Sequence, residues 1–215
     1  MTAAPSDIAS AYSALQSAEA DLQNRINVSQ GNLQTISDAV TLLQGIFASA
    51  TGATKSSANV LSAKGDSLSK IQTQAVADAG SVLAAAQNID ATMQSPTYQF
   101  LGSDSTNWGS AMQSLADQLL AAVSQVSAQV SASIARVSQE NADVVQFQKE
   151  VMQLQGAASG SGVLPTIENW VGGTVVALTS GLSGLIWPIA IVAAIAAVAY
   201  VASPGLLGMG KKRTD

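Results

Sequence analysis

The sequence contains no cysteine and no histidine. Disulfides, thiol chemistry, Cys/His zinc sites and imidazole acid–base work are therefore excluded together. Charge is scarce too, at 11% of residues, and aromatics make up only 4%. A globular enzyme usually carries more of both. What remains is apolar and small. Hydrophobic residues make up 47% of the 215, with Ala and Val prominent, and Ser and Gln supply much of the polar content. Ala and Gln are good helix formers, so this mixture suits long helices in close contact.

The few charges are unevenly placed. Residues 1–168 carry six basic residues against thirteen acidic ones, whereas the last five carry Lys211, Lys212 and Arg213 against Asp215. An acidic body does not grip nucleic acid, because phosphate contacts need Lys and Arg. No sequence-specific nucleic-acid binding is expected. Only the basic tail has the charge to touch phosphate or anionic lipid. The opening Met-Thr-Ala-Ala-Pro-Ser-Asp has neither a basic nor an apolar region, so it does not read as a secretory signal.

A seven-residue periodicity organises the first 155 residues. The first segment, about 6–50, starts at Pro5-Ser6 and stops at Gly52. One apolar column is Ile8, Leu15, Leu22, Ser29, Ile36, Leu43 and Ala50. The other is Tyr12, Glu19, Ile26, Leu33, Val40 and Phe47. Spacings of four and three alternate, which is the seam of a coiled coil. A second segment, about 54–94, keeps the column Leu61, Leu68, Ala75, Val82 and Ile89. Its companion column is poor: Lys64, Ile71, Asp78, Ala85 and Thr92. Gly65 and Gly80 weaken it further, so it reads as a less rigid helix or one packed on a narrow stripe.

Ser95-Pro96 ends that helix. Residues 96–109 form a turn region holding Tyr98, Phe100 and Trp108. These aromatics read either as a packed hairpin tip or as an exposed contact surface. The third segment, 110–155, has the column Ala116, Val123, Val130, Val137, Val144 and Val151. Beside it runs Met112, Leu119, Val126, Ser133, Glu140, Phe147 and Leu154. Valine at one core position with larger residues at the other fits a parallel coiled coil between chains. It also fits packing against the first two segments within one chain. At 1.5 Å per residue, segments one and three are each roughly 68 Å long, which favours helices side by side.

A Gly/Ser linker at 156–164 follows, then Pro165 opens an amphipathic or interfacial helix over 165–183. No charge occurs between Asn169 and Gly210. The densest apolar stretch, Gly184–Ala202, comes close to the ~20 residues that cross a bilayer core. A transmembrane helix is expected over 184–203, with Leu185, Ile186, Trp187, Ile189, Ile191, Val192, Ile195, Val198, Tyr200 and Val201 facing lipid. Ala190, Ala194 and Ala197 supply small residues for close helix contact. Residues 204–215 form a basic tail, in which Lys211, Lys212 and Arg213 anchor to a membrane surface. The other reading of this run is a buried core helix in a water-soluble assembly.

Motifs for chemistry fail on particular residues. Gly205-Leu-Leu-Gly-Met-Gly-Lys-Lys is no phosphate loop, since Lys212 stands where Ser or Thr is required. Gly181-Leu-Ser-Gly is too short for a nucleophile elbow. Glu19 and Glu140 interrupt apolar columns without a second acid or a cleft, so they read as register-setting polar residues. No catalytic, metal-binding or cofactor-binding residue is expected, and the chain does not read as an enzyme.

The fold class expected is all-α: long heptad helices, as a coiled coil or extended bundle, plus one C-terminal transmembrane helix. The oligomer seam falls on Ile8, Leu15, Leu22, Ile26, Leu33, Ile36, Val40 and Leu43, with Val123, Val130, Val137, Val144 and Val151. Partners expected are the lipid bilayer, copies of the chain itself and other structural proteins.

Positive residues favour the cytoplasmic face, which puts the tail inside and the long body outside. A body of that length with no signal to export it conflicts with that orientation. The conflict dissolves in three ways: the tail is too weak to set topology, the apolar run is itself the export signal, or the protein enters a membrane after synthesis. In general style the chain resembles phage virion proteins, which similarly join Ala/Ser/Gln-rich coiled coils to a membrane-active segment. That resemblance implies a membrane-associated virion component that oligomerises through coiled coils and inserts its C-terminal segment in a membrane, either to anchor the assembly or to help genome delivery. An α-helical pore-forming toxin and a cellular envelope tether are the alternatives.

Overall fold

Three long helices make up almost all of what the computed structural model describes, namely residues 3–96, 98 and 108–160. Helix α1 spans Pro5–Ser49, α2 spans Gly52–Met93 and α3 spans Ser110–Ala158. Among the described residues there is no strand.

Local chemistry sets the helix ends. Pro5 takes the first position of α1, where its missing N–H costs nothing. The Asp7 carboxylate accepts the Ala4 N–H at 3.0 Å, while the Asp7 N–H donates to the Ala4 carbonyl at 3.0 Å. That exchange satisfies donors that a helix start otherwise leaves open. Ala50 N–H closes α1 on the Ile46 carbonyl at 2.8 Å, and Gly52 then turns the chain at φ 58°. Only glycine adopts that backbone routinely. The expected linker at 156–164 begins later than its first glycine. Helix α3 runs on through Gly156 and Ala157 to Ala158, and Gly160 at φ 76° follows the end. A glycine inside a helix lowers propensity without breaking the hydrogen-bond ladder, so Gly156 does not stop it.

The described residues divide into two compact units, and each helix contributes to both. The first is drawn from 3–19, 82–96, 98 and 108–130. Its core is aliphatic: Ile8 and Leu15 from α1, Val82, Ala86, Ile89 and Met93 from α2, and Leu119, Val123 and Val126 from α3. The second is drawn from 20–81 and 131–160. It buries Ile36 and Leu43 with Ala58, Leu61 and Leu68, and with Val144, Phe147, Val151 and Leu154. Within it α1 and α3 run parallel, since Arg25 meets Ser138 and Ser29 meets Asn141. Helix α2 runs the other way, with Lys64 beside Glu150 and Asp78 beside Arg136.

The companion column expected for α2 is displaced by one residue. Ala58, Gly65, Gln72, Ala79, Ala86 and Met93 are the buried positions that alternate with Leu61, Leu68, Ala75, Val82 and Ile89. The core of α2 is built on small residues, so a search for large apolar side chains selects the wrong neighbour column. Gly65 shows what the small residues are for. A Cβ placed there would stand 2.5 Å from Val40 Cγ2 and 2.9 Å from Phe147 Cζ. Three helices meet at this glycine.

Candidate functional site

The heptad residues assigned to an oligomer seam lie inside the chain's own units. Ile8, Leu15, Leu22, Ile26, Ile36, Leu43, Val123, Val130, Val137, Val144 and Val151 are buried, and Leu33 and Val40 are half-buried. At the end of α1 the pattern shifts by one residue. Ile46 is buried, whereas Phe47 is 41% exposed with the Lys55 ammonium 4.6 Å from its ring centre. That spacing allows a cation–π contact.

The most specific chemistry in the second unit is polar and was not legible as a site. Asn141 Oδ1 accepts from Ser29 Oγ at 2.9 Å, Asn32 Nδ2 at 2.8 Å and Gln72 Nε2 at 2.9 Å. One oxygen thus gathers donors from α1 and α2 onto α3. A buried amide must find partners, so sliding any helix by a turn would strand these groups. Two ion pairs flank this layer. Arg136 Nη1 meets Asp78 Oδ2 at 2.6 Å and also lies 3.9 Å from Glu140 through Nε. Lys64 Nζ donates to both Glu150 oxygens, at 3.0 and 2.8 Å, with side chains only 8% and 2% exposed. In the sequence Lys64 stands as a break in a column, and nothing marks out Glu150. Each lies immediately beside a core position, Gly65 and Val151. The signal available was a charge beside each of two columns that turn out to face each other.

Glu140 is half-buried, and its carboxyl is held above the usual value by burial, against the lowering effect of Arg136; Asp143 raises it further. Glu19, the other acid found within a column, belongs to the first unit. Its carboxyl is also raised, first by burial and then by Asp90. Tyr12 faces the same Asp90, and burial together with that carboxylate pushes its hydroxyl up to about 12. The second acid missing from the sequence reading of Glu19 is therefore Asp90, brought from α2.

Compared with known proteins, the chain matches no family model, no curated protein and no solved structure.

Among the described residues, no group of three His, Cys, Asp or Glu is placed to hold a metal ion. An open groove runs along α1, lined by Asp38, Thr41, Leu42, Gly45, Ile46 and Ser49. It lies in the second unit, whereas the Glu19–Asp90 pair lies in the first. A paired carboxyl does acid–base chemistry on a substrate only where a substrate reaches it. Lys64 and Glu150 neutralise each other out of reach of solvent, so their arrangement is suited to fixing helix register.

Among the described residues no helix is long and apolar enough to cross a membrane. The expected interfacial and transmembrane helices, with Leu185, Ile186, Trp187, Ile189, Ile191, Val192, Ile195, Val198, Tyr200 and Val201, lie outside the described residues. So do Lys211, Lys212 and Arg213.

Proposed function

We propose that the protein is a non-enzymatic, membrane-associated structural protein, in which a three-helix body carries a C-terminal apolar segment that enters a lipid bilayer. The observation that carries the reading is a contrast within the chain. The described helices bury most of their heptad columns against one another, and the chain then continues into Gly184–Ala202, an apolar run with no charge to stop it entering lipid.

The basic tail at Lys211–Arg213 sits at the cytoplasmic or interior face in this reading. Because the heptad columns are covered by the chain's own helices, self-association falls to the apolar segment, where Ala190, Ala194 and Ala197 permit close helix approach. The architectural resemblance makes a phage virion the proposed setting, with other structural proteins as neighbours and genome delivery as the task served.

Flotation with anionic vesicles tests the reading. The full chain is expected to rise with the lipid, and a chain ending at residue 162 to stay in the dense fraction. Equal flotation of both would show that the helical body, not the C-terminal segment, meets the membrane.

A further inference from the structure

The exposed large hydrophobics are not scattered over the surface. Among the described residues there are six, Val28, Leu42, Phe47, Val60, Val145 and Met152, and all lie in the second unit. Four of them flank one seam. Arg25 and Asn32 of α1 meet Ser138 and Asn141 of α3, which fixes the faces that adjoin. Val28 lies between Arg25 and Asn32 on that face of α1, and Leu42 lies two heptads further along it. On α3, Val145 follows Asn141 by four residues, and Met152 follows Val145 by seven. The groove that holds Leu42 and Gly45 continues this face of α1, and a Cβ at Gly45 would meet nothing within 4 Å. The remaining two lie elsewhere: Phe47 beneath the Lys55 ammonium, and Val60 on the face of α2 that carries Lys64.

An apolar stripe on a surface rich in Ser and Gln marks a contact. The chain's own continuation fits it in position, length and pattern. Helix α3 ends at Ala158, and Gly160 at φ 76° redirects the backbone. Asn141 is level with Ser29, so the seam runs from Asn141 to Ala158, roughly 26 Å at 1.5 Å per residue. Residues 165–183 lie outside the described residues, and as a helix they would span about 28 Å. At helical spacing Ile167, Trp170, Val171, Val175, Leu178 and Leu182 share one face, opposite Glu168, Asn169 and Ser180. The stretch Ser159–Leu164 reaches up to ~20 Å, enough to turn back across a helix about 10 Å wide. Four exposed side chains fall short of the ~20–30 residues a side that hold separate chains together. A short tether raises a segment's effective concentration to the order of mM, so a small apolar seat suffices within one chain.

We propose that residues 165–183 fold back along the α1–α3 seam as a fourth helix, antiparallel to α3, with their apolar face on Leu42, Met152 and Val145. Ile167 and Val171 then cover Leu42 and Met152 beside the exit, and Leu178 and Leu182 reach Val145 and Val28. Segment and seam hide each other's apolar surface from water. Gly184–Ala202 then departs from the flank of the second unit and not from its end. The inference uses residues 165–183 alone, so it holds whether or not Gly184–Ala202 enters lipid.

Disulfide crosslinking of the full chain in mild detergent tests it, and the absence of native cysteine makes each introduced pair report only on itself. Val145→Cys with Leu178→Cys is expected to close within single chains, in most molecules, under mild oxidation. Val60→Cys with Leu178→Cys should close in few. Val60 is as exposed as Val145, at 51% against 48%, and it lies nearer the exit, because Lys64 sits beside Glu150. A segment with no preferred seat would therefore reach Val60 at least as readily. Adding Ile167→Asp and Val171→Asp should abolish closure at Val145, since charge on the apolar face removes its reason to dock. Equal closure of the two pairs, or none at Val145, would overturn the fold-back. A disulfide between chains at Val145 would seat a second copy on the seam and overturn it too. Flotation reads the membrane proposal separately: a chain that crosslinks yet stays in the dense fraction sinks that proposal alone.

Discussion

A methyl group added at Gly65 would have to displace Val40 or Phe147, whereas one added at Gly80 meets nothing within 4 Å. The two glycines interrupt the same helix, and composition alone treats them alike. Alanine is favoured over glycine in a helix interior by about 1 kcal/mol. Gly80→Ala should therefore stabilise the fold by up to that amount. Gly65→Ala gains the same propensity but forces overpacking, which costs about 1–3 kcal/mol. We expect a lower urea midpoint for Gly65→Ala and a higher one for Gly80→Ala. A raised midpoint for both would mean that the close approach at Gly65 is not maintained in solution. Nothing in the local sequence separates these glycines, because the difference lies in Val40 and Phe147, which come from other helices. Glu19 is a similar case: its place within an apolar column was legible, but Asp90 as its counterpart was not.

At the scale of the element, helices α1 and α3 were legible and half of α2 was not. Large aliphatics such as Leu15, Leu22, Val137 and Val144 stand out at spacings of three and four against Ser and Gln. Ala58, Ala79 and Ala86 give no such contrast, because alanine is equally common on exposed faces. Register is a property of pairs of elements, and the buried ion pair shows how it is enforced. Removing one partner of such a pair leaves an uncompensated buried charge, at a cost of about 3–5 kcal/mol. Lys64→Met should therefore destabilise strongly, since Glu150 keeps only Gln146 Nε2, at 3.4 Å, as a donor. Lys64→Met combined with Glu150→Met should recover most of that loss, because apolar replacements of similar volume fill the same space. Chemical denaturation of the two variants measures both effects. A double variant as unstable as the single one would mean that the pair contributes more than its mutual neutralisation.

For the whole molecule, the periodicity was legible but its use was not. A sequence whose columns read Ile8, Leu15, Leu22 and Val123, Val130, Val137 is compatible with helices from different chains or from one. Heptads state that a helix has a seam, and they do not state whose helix fills it. The helices α1, α2 and α3 fill one another's seams, with 45, 42 and 49 residues to match. This separates two properties that the sequence presents together, the heptad pattern and self-association. A chain ending at residue 162 should then scatter light as a single copy, with helical circular dichroism retained. The full chain in detergent should give a protein mass of more than one copy once the micelle is subtracted, if the apolar segment is the surface for self-contact that we propose. Substituting Leu for Ala190, Ala194 and Ala197 should return that mass toward one copy, since close packing in lipid depends on small residues at the contact. If the shortened chain is itself oligomeric, the outer faces of the three helices carry the contact. The apolar segment would then serve the membrane alone.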